Sequence, residues 1–386
     1  MKINIGITIL LKEPKTDSLF SNGIRQNVIL LQELYKKCKN VDQSYIINIV
    51  DVPPENYKGT TWEEYSPNII SLEQAKTMCD VVVVCHGNIS LNQYAEFDKL
   101  GKKMVVQVLG AELNMFNEKI LFDASYRGSG IFCRNPYVSA VWTSPHFYNR
   151  DRSFFESLYE CPVLEAAYVW DDRFINRHVN LAKQKDPSKD GMYKPAESAK
   201  RISTMEPNIN MVKTSTMPII IAELLERKYP DVLKRMNVFG AEKIKEKKDV
   251  IDFVKDMDVH KARKITFEAR FPIVWTLNTH TDIVLCHQAG CELNYLYLDA
   301  AWLGYPVVHN SPMMQELGWY YPENNANIAI EHINYIARNF DNLEYPDNKY
   351  VEKSRKFASR YMLSNPENTK SYEKLIDMII KKIYCA

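Results

Sequence analysis

The sequence predicts an α/β protein of two doubly wound domains, and three observations carry that reading. Short apolar runs rich in Val and Ile alternate with segments of helical period along most of the chain, the pattern of βαβ units around parallel strands covered on both faces. The alternation lapses near Asp171 and resumes near Arg201, across a polar stretch dense in turn formers. The chain has 386 residues, more than the roughly 250 to 300 at which a single core stops growing.

In chain order, the first series predicts strands over Ile3 to Leu10, Ser44 to Val50, Asp80 to Cys85, Lys103 to Val108, Ala140 to Thr143 and Val163 to Val169. Asp80-Val-Val-Val-Val-Cys85 is the clearest, because an unbroken β-branched run suits a strand buried on both faces. Ile24, Val28, Leu31 and Leu34 recur at helical spacing, so Gly23 to Lys37 is a helix that closes the first unit. From about Asp171 to Pro195 the texture predicts a loop or interdomain connection. The second series predicts strands over Arg201 to Met205, Met236 to Phe239, Lys264 to Phe267, Asp282 to Cys286 and Tyr305 to His309, with helices over Met217 to Lys228 and Asn294 to Leu303. Glu242 to Asp249 is a mixed charge run and reads as a solvated helix. Lys349 to Ile383 is a helical tail that could pack back on the first domain. The expected domains are therefore residues 1–170, 171–350 and a tail over 351–386, with the two α/β domains facing across a ligand-binding cleft.

Composition narrows the class. With 46% hydrophobic and 25% charged residues the chain is globular, and 49 basic against 48 acidic side chains give no overall field for nucleic acid or an anionic membrane. The eight cysteines are scattered without a Cys-x-x-Cys pair and read as reduced residues of a cytosolic protein. No run approaches the roughly 18 apolar residues of a membrane span, so neither export nor membrane insertion is expected. Glycine is scarce, 13 residues, and neither Gly-x-Gly-x-x-Gly nor the Walker phosphate loop occurs, which argues against classical dinucleotide binding and P-loop phosphotransfer. Gly-x-Ser-x-Gly, the His-Glu-x-x-His zinc motif and the calcium loop are absent too. Asp256-Met-Asp258 has the form of a metal-binding Asp-x-Asp but lies in a charged, surface-like stretch. No resident metal is expected.

The informative segments follow strands. Phe20-Ser-Asn-Gly-Ile-Arg-Gln-Asn27 joins the first strand to the first helix, where a glycine at a helix amino terminus lets an anion or a sugar reach free amides; equally, Asn22 and Gly23 could simply start the helix. Cys85-His-Gly-Asn88 would aim His86 into the cleft as a donor or base, or leave it as a plain turn residue. Glu206-Pro-Asn-Ile-Asn-Met-Val-Lys-Thr214 lies between a strand and a helix, and Lys213 there can pair with a diphosphate. Cys286 to Pro312 reads strand, loop, helix, glycine stop, strand and polar loop, with Asn294 as helix cap, Asp299 within the helix and Gly304 at its end.

That last order of parts resembles the carboxyl-terminal domain of GT-B nucleotide-sugar glycosyltransferases, in which a strand, an acidic loop residue, a second acidic residue and a Gly-x-Pro-Val-Val strand succeed one another. Here Glu292, Asp299 and Gly304-Tyr-Pro-Val-Val308 take those places. Asn22-Gly-Ile-Arg-Gln-Asn27, Glu206 to Lys213, Asn294-Tyr-Leu-Tyr-Leu-Asp299 and Gly304 to Pro312 look more closely like a bacterial and viral family with a GT-B-like fold, over about residues 1 to 325. In two features the chain departs from the GT-B pattern: the acidic pair is spaced by seven rather than eight with Asp second, and no arginine accompanies Lys213.

The resemblance implies two Rossmann-like domains, a nucleoside diphosphate sugar as co-substrate, foremost a UDP-sugar, and a hydroxyl acceptor on a glycan, lipid or small molecule. It implies leaving-group stabilisation by Lys213 and helix amides, ribose binding by Asp299, and close approach of the nucleotide at Gly240. Asn208, His287, Gln288, Asn294, Tyr295, Asn310 and Ser311 would line the donor side, and Asn22, Gly23 and Gln26 would face it from the first domain. An inverting reaction needs a base, for which His86 and Glu112 are the candidates; a retaining one does not. Two alternatives stand beside this reading: a phage-type transferase acting on a modified base in DNA, such as a hydroxymethyl-pyrimidine, and a GT-B-like binding protein without turnover. The expected location is the cytoplasm, that of the host if the protein is viral.

Overall fold

The computed structural model describes residues 2–17, 19–21, 23–65, 68–122 and 133–381. The chain divides into two compact units, Met1–Asp171 with Tyr361–Ala386, and Asp172–Arg360.

The first unit runs β1 (Ile3–Ile9), α1 (Gly23–Lys37), β2 (Val41–Asn48), α2 (Thr61–Tyr65), β3 (Ile69–Ser71), α3 (Leu72–Met78), β4 (Val81–Val84), α4 (Leu91–Lys99), β5 (Lys103–Val108), α5 (Glu112–Phe122), β6 (Ala140–Thr143), α6 (Pro145–Tyr159) and β7 (Val163–Glu165). Its seven strands are parallel in the order β3-β2-β1-β4-β5-β6-β7. All four valines of β4 are buried, as a run covered on both faces requires. Capping boxes start α3 and α4, with Ser71 and Gln74, then Ser90 and Gln93, each satisfying the other's backbone N–H.

The second unit runs α7 (Arg173–Lys185), β8 (Lys200–Thr204), α8 (Thr216–Lys228), β9 (Leu233–Val238), α9 (Lys248–Val254), α10 (Asp258–Lys261), β10 (Ile265–Phe267), α11 (Ile273–His280), β11 (Ile283–Leu285), α12 (Tyr295–Trp302), β12 (Val307–His309), β13 (Trp319–Tyr320), α13 (Ala326–Tyr335), a π-helical segment Ile336–Glu344, and α14 (Lys349–Ala358). Six parallel strands lie in the order β10-β9-β8-β11-β12-β13. The chain then returns to the first unit as α15 (Pro366–Lys381), where Tyr372 packs edge-on against Tyr35 and Trp142 and donates its hydroxyl to the Ala167 carbonyl at 3.1 Å.

Several expected elements differ. The stretch after Asp171 begins with α7 rather than a loop, because Phe174, Ile175 and Val179 give it a buried face despite its polarity. Residues 242–246 form exposed turns, and the helix starts only at Lys248. The last strand of the first series stops at Glu165 rather than Val169. The helical tail is broken: α14 ends at Ala358, and Pro366, whose ring removes an N–H and fixes φ, opens α15 as its first residue. β3 and β13, only three and two residues long, were not expected.

Each sheet reverses its strand order once, between β1 and β4 in the first unit and between β8 and β11 in the second. In open parallel sheets a ligand crevice forms outside the carboxyl ends of the strands at such a reversal.

Candidate functional site

The same dipeptide follows the strand across each reversal: Cys85-His86 after β4 and Cys286-His287 after β11. The two imidazoles are held in opposite tautomers. His86 Nδ1 accepts from the Leu10 backbone N–H at 3.2 Å, so its ring proton sits on Nε2. The Tyr321 hydroxyl donates to the Cys286 carbonyl at 3.1 Å, so the 3.0 Å contact of His287 Nδ1 with the Tyr321 oxygen is donated by the ring, and Nε2 keeps the lone pair. Burial holds both rings down to about 4; the Arg25 guanidinium deepens the effect at His86 while Asp17 opposes it, and Asn324 opposes it at His287. Both are neutral near pH 7.

Around the reversal of the first unit stand Gly23 and Gln26 on the first turn of α1, the Arg25–Asp17 ion pair at 2.6 Å, and Glu112, the first residue of α5. Asn22 lies outside the described residues. The Glu112 carboxyl has no hydrogen bond or ion pair among the described residues, and burial lifts it to about 7. Of the two expected bases, Glu112 therefore has an acceptor near neutrality, whereas the Nε2 of His86 is already protonated and its Nδ1 is engaged.

In the second unit the loop from Glu206 to Ser215 joins β8 to α8. Asn208 adopts a left-handed conformation, φ 50°, and donates Nδ2 to the Glu206 carbonyl at 2.8 Å and to Ser215 Oγ at 3.0 Å, while its Oδ1 accepts from the Ser215 N–H at 2.8 Å. Asn208, expected as a ligand contact, shapes the loop through these bonds. Gly240 also serves the loop. It has φ +69°, and a Cβ there would stand 2.8 Å from the Glu206 carbonyl oxygen, so the absence of a side chain lets the two backbones approach. Lys213 is half-buried, its backbone N–H bound to Asn210 Oδ1 at 3.1 Å, and it sits one turn before the amino end of α8, where Thr216 and Met217 carry amides that the helix does not satisfy.

Across the reversal, Asn310 clamps the loop after β11: its Oδ1 accepts from the Gln288 N–H at 2.9 Å and its Nδ2 donates to the Gln288 carbonyl at 2.8 Å. Ser311 donates to the Glu292 carbonyl at 2.8 Å, and its own N–H is taken by His309 Nδ1 at 3.1 Å. Asn310 and Ser311, which the sequence assigns to the donor side, bond to the segment that carries His287 to Glu292. Asn294 caps α12 through Leu296 N at 3.1 Å, and half-buried Tyr295 and Asp299 ride on that helix. Gly304, φ +88°, follows the end of α12 as expected.

One residue was missed. Glu206 is 1% exposed, its Oε1 has no hydrogen-bond partner, and burial raises its carboxyl to about 7 against the opposing pull of Lys213. Gln288, 5% exposed, faces it with both side-chain polar atoms lacking hydrogen-bond geometry. The available signal was an acid placed directly after an apolar strand and before Pro207. Among the described residues no group of three or more His, Cys, Asp or Glu side chains could hold a metal, and Asp258 pairs with Arg227 at 3.0 Å. No described helix is long and apolar enough to cross a membrane.

Two all-parallel, doubly wound units with polar side chains gathered at their reversals define an α/β protein of the GT-B fold. The chain belongs to the DUF2827 family of proteins of unknown function, whose model matches residues 5–376. Among solved structures it is similar to HepE of Anabaena in complex with UDP, with a TM-score of 0.55 and 10% identity over 98% of this chain and 100% of that one. It is similar also to a glycosyltransferase from Rickettsia africae, with a TM-score of 0.58 and 10% identity over 99% and 100%. A third likeness is to the sucrose-phosphate synthase of Thermosynechococcus elongatus, with a TM-score of 0.55 and 9% identity over 99% and 100%. No curated protein matches the chain by sequence.

Proposed function

We propose that the protein is a glycosyltransferase that moves a sugar from a nucleoside diphosphate donor to a hydroxyl group. The observation that carries this reading is the placement of Lys213 and the unsatisfied amides of α8 together at the strand-order reversal of the second unit, where a cation and a helix amino terminus suit an incoming diphosphate. Transfer leaves negative charge on the departing diphosphate, and a fixed ammonium with oriented N–H groups stabilises that charge as it develops. Asp299, on the helix that Asn294 caps, is assigned to the two ribose hydroxyls as a hydrogen-bond acceptor. The HepE structures of the same fold hold UDP and UDP-glucose, which favours a UDP-sugar as donor here. Where the acceptor hydroxyl needs a base, Glu112 is assigned that role and His86 that of a neutral donor through Nε2.

The test is thermal unfolding with UDP, UDP-glucose and other nucleoside diphosphates, since a ligand at 100 times its dissociation constant adds about 2.7 kcal/mol. A selective stabilisation that Lys213→Ala and Asp299→Ala remove supports the reading. A protein indifferent to every nucleotide refutes the donor site.

A further inference from the structure

The loop after β11 is bonded to its neighbours on two sides. Ala289 donates its N–H at 2.9 Å to the carbonyl of Val212, the residue before Lys213, and Asn310 holds both backbone groups of Gln288. His287 stands between β11 and these bonds, so its ring is anchored beside the loop that carries Lys213. Its orientation is fixed too. The imidazole lies nearly parallel to the Tyr321 ring, with 19° between the planes, and gives its Nδ1 proton to the Tyr321 oxygen at 3.0 Å. Tyr321 in turn commits its proton to the Cys286 carbonyl at 3.1 Å. The group left over is Nε2, a lone pair with no hydrogen-bond partner among the described residues. His287 is 7% exposed, and its Nε2, unlike the two polar atoms of the Gln288 carboxamide, is not sealed from solvent. The exposed Asn324 side chain stands beside the ring.

Resting on the donor site proposed above, we infer that His287 Nε2 accepts a hydrogen bond from a hydroxyl of the sugar that the donor carries, and so selects among sugars. A neutral ring nitrogen in this tautomer can only accept, and so can the oxygens of a diphosphate near neutrality, so Nε2 is unsuited to the phosphates. Its partner has to be a group that donates. On a nucleoside diphosphate sugar the ribose hydroxyls are assigned to Asp299, and the base lies beyond the ribose. The sugar hangs from the far phosphate, and the His287 loop is bonded to the loop whose lysine is assigned to the diphosphate. A sugar without the matching hydroxyl leaves the lone pair uncompensated, and a site built around a hydrogen bond discriminates against the analogue that lacks it.

The experiment compares UDP, UDP-glucose and the monodeoxy forms of UDP-glucose on the full chain, by calorimetry and by nitrogen-15 NMR of the histidines. In the wild-type protein the Nε2 resonance of His287 should move when UDP-glucose binds and stay in place with UDP. One monodeoxy form should bind roughly 2- to 12-fold more weakly than UDP-glucose. His287→Asn keeps an amide N–H where Nδ1 donates to Tyr321 and lacks the distal acceptor. That variant should bind UDP as the wild type does, lose the same factor with UDP-glucose, and no longer distinguish the deoxy form. The NMR comparison needs no variant: an Nε2 signal unmoved by bound UDP-glucose, or moved equally by UDP, overturns the inference. So does a His287→Asn protein that still discriminates against the deoxy form, and in each of these cases the donor site stands. Failure of UDP and UDP-glucose alike to bind overturns the donor site and this inference together.

Discussion

His287 donates its Nδ1 proton to the hydroxyl oxygen of Tyr321 over 3.0 Å, because that hydroxyl has already committed its own proton to the Cys286 carbonyl. The phenol therefore fixes which nitrogen of the ring keeps a lone pair. At the corresponding point of the first unit the Leu10 N–H fixes the opposite choice for His86. The two rings, alike in sequence context, are prepared for opposite tasks: acceptance at His287 Nε2 and donation at His86 Nε2.

Nitrogen-15 NMR should therefore report the proton of His86 on Nε2 and that of His287 on Nδ1, with both rings neutral well below their ordinary 6.5. Depressed values mean that the unfolded chain takes up protons first. Stability from these two residues is full above about 6.5 and is lost as the pH falls toward about 4.

Tyr321→Phe removes one hydroxyl and strands two buried partners, the Cys286 carbonyl and His287 Nδ1. A loss of roughly 1–3 kcal/mol is expected in denaturant unfolding. The His287 signals should at the same time lose their single-tautomer character.

Asn310→Ala cuts both bonds to the Gln288 backbone. Thermal unfolding should register a loss of about 1–3 kcal/mol, and nucleotide affinity should fall with it. Unchanged affinity would mean that the loop carrying His287 and Gln288 keeps its shape without the clamp.

Gly240→Ala places a Cβ 2.8 Å from the Glu206 carbonyl in a backbone conformation, φ +69°, that L-residues disfavour. The cost expected in denaturant unfolding is roughly 1–3 kcal/mol. Because the displaced atom belongs to the loop bearing Lys213, nucleotide binding should weaken more than the same substitution at exposed Gly59 would cause.

Glu112→Gln tests the desolvated carboxyl. Burial raises it from 4.5 to about 7, so the folded state binds this proton more tightly than the unfolded chain; its contribution is full below about 4.5 and is lost as pH rises through about 7. The variant should be relatively more stable than the wild type at alkaline pH, with no such advantage in acid. If Glu112 accepts the proton of the attacking hydroxyl, turnover falls by about 10²–10⁴-fold and the rise in rate toward neutral pH disappears.

Much of the fold was legible because burial on both faces writes itself as unbroken β-branched runs. Val81–Val84 is a strand for that reason, and Gly23–Lys37 is a helix with the bounds its period implies. Polarity misled at α7, where three buried residues suffice to anchor a helix that otherwise faces water. β3 and β13 are too short to show a period at all. At the site, the Asn294 cap was readable from type and position. The loop-shaping bonds of Asn208, Asn310 and Ser311 were not, because the same amide or hydroxyl can meet a ligand or a backbone, and it is the fold that brings Asn310 to both polar groups of the Gln288 backbone. Glu206 escaped for the opposite reason: an acid in a loop looks solvated, and its enclosure comes from residues distant in sequence such as Gln288, Tyr297 and Tyr321.

The second unit is a continuous segment, while the first is assembled from both ends of the chain, with α15 supplying the aromatic ring that covers Tyr35 and Trp142. During synthesis, a chain that has already released residues 172–360 still lacks Tyr372, so the unit that begins first is finished last. Until then Tyr35 of α1 and Trp142 of β6 lack the ring that covers them, the kind of exposure that draws chaperones or aggregation. A chain ending at Arg360 would keep that face open permanently, whereas residues 172–360 contain every strand of their own sheet and can be completed without waiting for either end.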